Sequence, residues 1–348
     1  MKNTILITLL ILVWACNTPS GETLQAYAIN GETMGTTYSV LYVGPSESDY
    51  SEGIDLLLKQ VNQETSTYIP ASTISKFNQS ETGLSFPEGA PEHFKTVFEG
   101  SKIIWEQTKG HFDPTVMPVV NYWGFGYTEK KPVTAVDTVK VDSLLQLIGF
   151  AKISSGPADA GSGKGDNYTK KQGMQLDFSA IAKGYGVDAV GQFLESKGIS
   201  NYLVEIGGEV RARGKKSNGD WWTAGINIPD SAAGLQDIQN AVSIQNKALA
   251  TSGNYRIFYE VDGVKYAHTI NPSTGFPAGN TLLSASVLAN DCMTADAFAT
   301  AFMVMGLDKA YQLAAANEGI EAYLIYGDDA GEMKIKYTPG IAPFIANK

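Results

Sequence analysis

Apolar positions along the chain recur at helical spacing in some stretches and at strand spacing in others. Glu52 to Gln63 places Ile54, Leu57, Leu58 and Val61 on one face, which predicts an amphipathic helix. Pro91 to Thr108 predicts a second, with Phe94, Val97, Phe98, Ile103, Ile104 and Trp105 as its apolar residues and Gly110 as its stop. Ala180 to Lys197 reads as a helix ended by Gly198, Thr294 to Met305 as an apolar helix, and Asp308 to Ala315 as another. Ala26 to Val43 alternates as strands about a Gly31-Glu32 turn. Met174 to Phe178, Tyr202 to Ile206, Trp221 to Ile228, Leu283 to Leu288, Ala322 to Tyr326 and Met333 to Tyr337 read as further strands. Arg256 to Val261 and Val264 to Thr269 flank Asp262-Gly263, a hairpin signal. Thr128 to Asp137 and Ser154 to Gly173 are polar and predict surface loops. Strands and helices come in groups rather than in strict alternation, so the expected class is α+β rather than a doubly wound sheet.

The first residues break this pattern. Lys2 precedes a short apolar run, Ile5 to Trp14, too short for an ordinary membrane span, and the run ends in Val13-Trp14-Ala15-Cys16. That ending resembles the lipobox of bacterial lipoproteins, although Val13 stands where Leu is commoner and Trp14 is bulky. Residues 1–15 are therefore expected to be a lipoprotein signal peptide and residues 16–24 a flexible tether lipidated at Cys16. Residues 25–348 would be the folded domain. A plain signal peptide with an incidental cysteine is the alternative. The expected location is outside the cytoplasm, anchored to the inner membrane and facing the periplasm.

Charge and cysteine usage narrow the function. The net charge of −10 argues against nucleic acid, which needs a basic surface. Cys16 and Cys292 are the two cysteines, so acylation of Cys16 leaves Cys292 without a disulfide partner. Three scattered histidines make a zinc enzyme a poor fit.

Several segments could carry chemistry. Leu176-Asp177-Phe178-Ser179-Ala180 leads into Lys183-Gly184 at a helix start, where amides and an ammonium attract anions. Asp177 could equally be a helix cap and Lys183 a solvated side chain. The Walker A order is missing. Asp296 and Thr300 are spaced i, i+4 on an apolar helix and offer the hard oxygens Mg²⁺ accepts, or else serve as a cap-region acid and a backbone-bonded hydroxyl. His268 enters the Thr269-Ile270-Asn271-Pro272 turn, as a general base or a packed polar strand end. His111-Phe112-Asp113-Pro114-Thr115 and Tyr122-Trp123-Gly124-Phe125 suit a flat-ring pocket and suit core packing equally.

The order of these segments is more specific than any one of them. Met34-Gly35-Thr36-Thr37-Tyr38 is followed by Ser66-Thr67-Tyr68, Ser75-Lys76-Phe77-Asn78, Phe112-Asp113-Pro114-Thr115, Trp123-Gly124-Phe125-Gly126, and Leu176-Asp177 through Lys183-Gly184. Then come Gly207-Gly208-Glu209, Thr251-Ser252-Gly253-Asn254, His268 through Gly275, and Thr294-Ala295-Asp296 through Thr300. The series closely resembles the ApbE family of FAD:protein FMN transferases. The resemblance implies a single α+β catalytic domain related to the tunnelling fold, FAD as donor and Mg²⁺ as metal. It implies transfer of FMN to a Thr or Ser hydroxyl of a target protein, with release of AMP. Acceptors in the family are flavin-carrying subunits of membrane electron-transport complexes such as the sodium-pumping NADH:quinone reductase and Rnf. By position, Met34, Tyr68, Asp113, Thr115, Asp177, Lys183 and Ile270 match FAD-contacting places. Asp296, Thr300 and the carbonyl of Ala180, with Ala299 as a further backbone oxygen, match the Mg²⁺ site, and His268 matches the general base. Phe178-Ser179 departs from the Leu-Gly pair usual there, and the Ser154–Gly173 stretch looks lineage-specific. A periplasmic FAD pyrophosphatase and a non-catalytic flavin-binding lipoprotein are the competing readings.

Overall fold

The structure, a computed structural model, describes residues 24–44, 49–90, 92–128, 136–157, 165–230, 237–254, 258–261 and 264–346. Cys16, its apolar run and most of the tether lie outside the described residues. So do Asp262-Gly263 at the tip of the expected hairpin, whose strands Phe258–Val261 and Val264–Ala267 do pair.

The main sheet has eight strands, and its order follows the chain: β1 (Gln25–Thr33), β2 (Thr36–Gly44), β3 (Tyr202–Ile206), β4 (Glu209–Arg213), β5 (Ala248–Gly253), β6 (Leu282–Ala289), β7 (Glu321–Gly327) and β8 (Met333–Tyr337). Every neighbouring pair is antiparallel. Helices α1 (Ser51–Thr65), α2 (His93–Gln107), α3 (Ala182–Ser196) and α4 (Cys292–Met305) are inserted between strands. Strands from both ends of the described chain share one sheet, so the class is α+β, as the grouping of elements implied.

Both faces of the sheet are covered. Val287 and Ala250 join the core around α4, whereas Leu288 and Leu249 pack with Trp222 and Ile244 of a separate hairpin, Trp222–Asn227 and Ile238–Ile244. Alternation of apolar and polar residues is therefore lost in β5 and β6. The small residues Ala250, Ala285 and Ala289 share their core with Ala295 and Ala299 of α4, which lets that helix lie close to the sheet.

Three local expectations need correction. The first hairpin turns at Met34-Gly35, not at Gly31-Glu32. Both turn residues have positive φ, 51° and 74°, the conformation that matches strand twist. Gly31 lies inside β1 because a Cβ there would come within 2.5 Å of the Tyr38 ring. The Ser154–Gly173 stretch contains two strands, Ser154–Pro157 and Asp166–Thr169, which pair with each other, and Asp166–Thr169 also pairs with Gly83–Phe86. Tyr168 is the residue there that enters the core, so no apolar alternation marks them. Met174 to Phe178 forms no strand. Asn78 replaces the neighbour: its Nδ2 donates to Leu176 O at 2.8 Å and its Oδ1 accepts from Leu176 N at 2.7 Å. A side-chain amide thus satisfies the backbone as a paired strand would.

Candidate active site

The site is built where α3 and α4 cross. Gly184, in the first turn of α3, has no room for a side chain. A Cβ would stand 2.3 Å from Cys292 O and 2.8 Å from Asp296 Cβ. That closeness lets the Asp296 Oδ2 accept the Gly184 N–H at 3.0 Å, so an acid of α4 caps α3. The reverse contact also exists. Asp188 of α3 accepts the N–H groups of Cys292 at 3.0 Å and Met293 at 2.8 Å, the first two of α4, while Asp291 takes that of Thr294. Arg211 on β4 holds Asp188 at 2.8 Å.

Lys183 is the neighbour of Gly184, and its Nζ lies 2.7 Å from Glu209 Oε2 at the start of β4. That oxygen is buried, and the ammonium is its close partner. Burial opposes the Lys183 charge, but Glu209 and Asp296 more than offset it and raise its pKa. Glu209 is pushed up to about 8, first by burial and then by the Asp296 charge, against the pull of Lys183. Burial also raises Asp296. One ammonium is thus held between two buried acids.

Lys183 and Ser179 form one part of the wall of a cavity of about 1000 Å³. Met34 and Gly35 at the hairpin turn, Asn62 on α1 and Tyr68 form others. Tyr68 is 70% exposed, an unusual amount for an aromatic ring and one that leaves its face free to cover a ligand. Of the residues expected to touch FAD, the structure therefore brings Met34, Tyr68 and Lys183 to one cavity.

Asp113, Thr115, Asp177 and Ile270 are not on its wall. Asp113 is buried and accepts from Thr115 N, Phe150 N and Trp105 Nε1. Thr115 Oγ1 donates to Asp113 and accepts from Gly149 N at 2.7 Å. Burial raises the Asp113 carboxyl, and these donors work against the rise. Between the two, Pro114 O accepts the Asp177 N–H at 2.7 Å. Asp113 and Thr115 thus fix the segment that fixes Asp177. The Asp177 carboxylate caps Ser179 N at 2.8 Å, just before α3. It also adds to the rise in the Tyr127 pKa, second to burial, so it stands near the aromatic stretch. Ile270 is buried with Trp123 and Met117, and Trp123 Nε1 donates to Gly275 O at 2.7 Å, which ties the histidine loop to that stretch. His268 is partly exposed, with its ring edge-on to Phe125 at 6.4 Å.

On α4, Thr300 lies one turn beyond Asp296 and shares a 3.1 Å hydrogen bond with Ser252 of β5. Ala180 lies in the turn before α3, and Ala299 is fully buried. No group of three or more His, Cys, Asp or Glu side chains that could hold a metal occurs among the described residues. Any cation here would rest on Asp296, neutral oxygens and water, a set that suits Mg²⁺ and not zinc.

The model of the ApbE family matches residues 34–324. The chain belongs to the ApbE family. The protein from Haemophilus influenzae named FAD:protein FMN transferase is 37% identical over 313 residues, 88% of each chain. The flavin transferase ApbE from Vibrio cholerae superposes with a TM-score of 0.80 at 35% identity, covering 92% of this chain and 99% of its own. The Pseudomonas stutzeri flavinyl transferase ApbE gives 0.81 at 31%, covering 93% and 98%. The expectation of an enzyme of the transferase class is met by these relatives. Asp188 escaped the sequence reading. Its one signal was an acid inside the otherwise uncharged run Gly184 to Phe193. Glu209 follows a Gly207-Gly208 turn, and its signal is an acid opening a strand that the fold buries.

Proposed function

We propose that this chain is a Mg²⁺-dependent FAD:protein FMN transferase that moves FMN from FAD to a Thr or Ser hydroxyl of a carrier protein and releases AMP. The observation that carries the reading is Lys183. It is an ammonium at a helix N-terminus, held between two buried acids, on the wall of a cavity that also displays Tyr68. A flavin ring fits against Tyr68 and a pyrophosphate against Lys183 and the α3 amides.

Asp296 and Thr300, with the carbonyls of Ala180 and Ala299, would hold Mg²⁺. Glu209, buried and within reach of the Asp296 charge, adds a second acid to the neighbourhood of that site. The cation, when bound, offsets charge on the phosphate oxygens and on the departing AMP. Lys183 orients the pyrophosphate and offsets charge on the same oxygens. His268 accepts the proton of the acceptor hydroxyl. The hydroxyl oxygen bonds to the FMN-side phosphorus, and the bond from that phosphorus to the AMP phosphate oxygen breaks, so AMP leaves with the electron pair. Positioning and charge supply most of the rate, as in phosphoryl transfer generally.

The proposed acceptors are flavin-carrying subunits of membrane electron-transport complexes of the sodium-pumping NADH:quinone reductase and Rnf kinds. The proposed location is the periplasmic face of the inner membrane, through a lipid on Cys16. Loss of membrane partitioning in Cys16→Ser, with the fold intact, would support the anchor, and unchanged partitioning would remove it. The transferase test is incubation with FAD, Mg²⁺ and such a subunit. The expected product is a subunit heavier by one FMN less a water, on a threonine or serine. Free FMN and AMP with an unmodified subunit would favour a pyrophosphatase instead.

A further inference from the structure

We infer that Glu209 withholds Lys183 from the donor's pyrophosphate until a divalent cation is in place, so that FAD binding is tied to the cation. This deepens the proposed reading and rests on its Mg²⁺ site.

The argument is one of charge and burial. The Glu209 side chain is 4% exposed, that of Lys183 is 32% exposed, and Lys183 faces the cavity. The acid is thus hidden behind the base, 2.7 Å from it. Asp296 also acts on Lys183. With both acids ionised, the three groups carry one net negative charge. With a proton held between the acids they are neutral. In neither state does the cluster offer positive charge to a pyrophosphate. Glu205, a partly buried acid that also feels Lys183, adds to the imbalance. A divalent cation held by Asp296 would reverse the sign of the cluster, and Lys183 would then face the phosphates with a net positive charge behind it. A lysine needed only to neutralise Glu209 for folding would have no reason to keep a third of its side chain open to the cavity.

Glu209→Gln keeps the size and the polarity and removes the charge. The experiment titrates FAD and riboflavin, by flavin fluorescence, into the full chain in EDTA at pH 9, where Glu209 is ionised. Removing one charge this close should tighten metal-free FAD binding by on the order of tenfold. Riboflavin, which has no phosphate, should bind as it does to the wild type. Glu209→Asp, which keeps the charge, should resemble the wild type. A second variant protects the test if Glu209→Gln does not fold. Lys183→Met should weaken FAD binding more with Mg²⁺ than in EDTA, because only with the cation in place is Lys183 released to meet the phosphates. Unchanged or weaker FAD binding by Glu209→Gln in EDTA would overturn the inference. So would an equal gain for riboflavin, or a loss of FAD affinity in Lys183→Met that is as large in EDTA as with Mg²⁺. A parallel assay of wild-type FMN transfer with and without Mg²⁺ separates the two failures. Transfer without any need of Mg²⁺ sinks the proposed reading, whereas Mg²⁺-dependent transfer with a negative Glu209 result sinks this inference alone.

Discussion

Asp188 and Asp296 cap one another's helices. Asp188 on α3 takes the first two amides of α4, and Asp296 on α4 takes the Gly184 amide of α3. Helix starts carry unsatisfied N–H groups and partial positive charge, so each carboxylate is placed where it is stabilised. The reciprocal pair fixes the helices in rotation as well as in distance. Asp296, Lys183 and the amides of α3 therefore hold one geometry before any ligand arrives.

The two acids should differ sharply under substitution. Asp188→Ala strands two buried amides and leaves Arg211 with Glu195 alone at 3.4 Å, and losing one partner of a buried ion pair costs about 3–5 kcal/mol. Urea unfolding measures it, and a loss below about 1 kcal/mol would show that the pair does not organise the crossing. Mg²⁺ affinity should fall with it, because Asp296 loses its fixed position.

Asp296→Asn separates the cap from the cation. An amide oxygen still accepts the Gly184 N–H, so stability in EDTA should stay within about 1 kcal/mol of the wild type. The charge is gone, so Mg²⁺ should bind weaker by on the order of 10–100-fold or more. Asp296→Ala should lose both. Calorimetric titration with Mg²⁺ beside thermal melts in EDTA reads the two effects separately, and wild-type Mg²⁺ affinity in Asp296→Asn would remove this residue from the metal site.

Glu209 makes stability depend on pH. Its carboxyl is raised from 4.5 to about 8, mainly by burial. The folded protein therefore holds a proton that the unfolded chain releases. That contribution is fully present below about pH 4.5 and is lost as pH rises through about 8. In EDTA, the melting temperature of the wild type should fall relative to Glu209→Gln between pH 5 and pH 9. A difference that stays flat across that range would mean that burial does not hold the proton.

The helices were legible because each buries one stripe of apolar residues, as in Ile54, Leu58 and Val61 of α1. Strand β5 was not, because Leu249 and Ala250 are buried on opposite faces of the sheet and no alternation remains. Met174 to Phe178 misled for a related reason. No strand pairs with it, and Asn78, 98 positions away, supplies the partner that a strand would have. In the site, Met34, Tyr68 and Lys183 could be read from the order of short motifs. Glu209 and Asp188 could not, since each acts through a group that only the fold brings near, Lys183 in one case and the start of α4 in the other. The turn at Met34-Gly35 hid behind a residue that seldom takes positive φ.

In the proposed reaction, His268 is the residue that separates transfer from binding alone. It follows the paired strand Val264–Ala267 and enters a loop that Trp123 and Ile270 hold against the core. The loop is thus fixed while the imidazole stays partly exposed, beside the edge of Phe125. A base so placed can meet a hydroxyl that arrives from another protein, whereas Asp296 is buried and Lys183 is paired with Glu209. His268→Asn should slow single-turnover FMN transfer by roughly 10²–10⁴-fold, the usual span for a lost general base. FAD affinity should change by less than about threefold, since the ring and pyrophosphate rest on other residues. Added imidazole should restore part of the rate to His268→Ala, because the gap it leaves opens toward solvent. Equal losses of binding and turnover would make His268 a ligand contact. A full rate in His268→Asn would leave the cation, Lys183 and substrate positioning to carry the reaction, with water taking the proton.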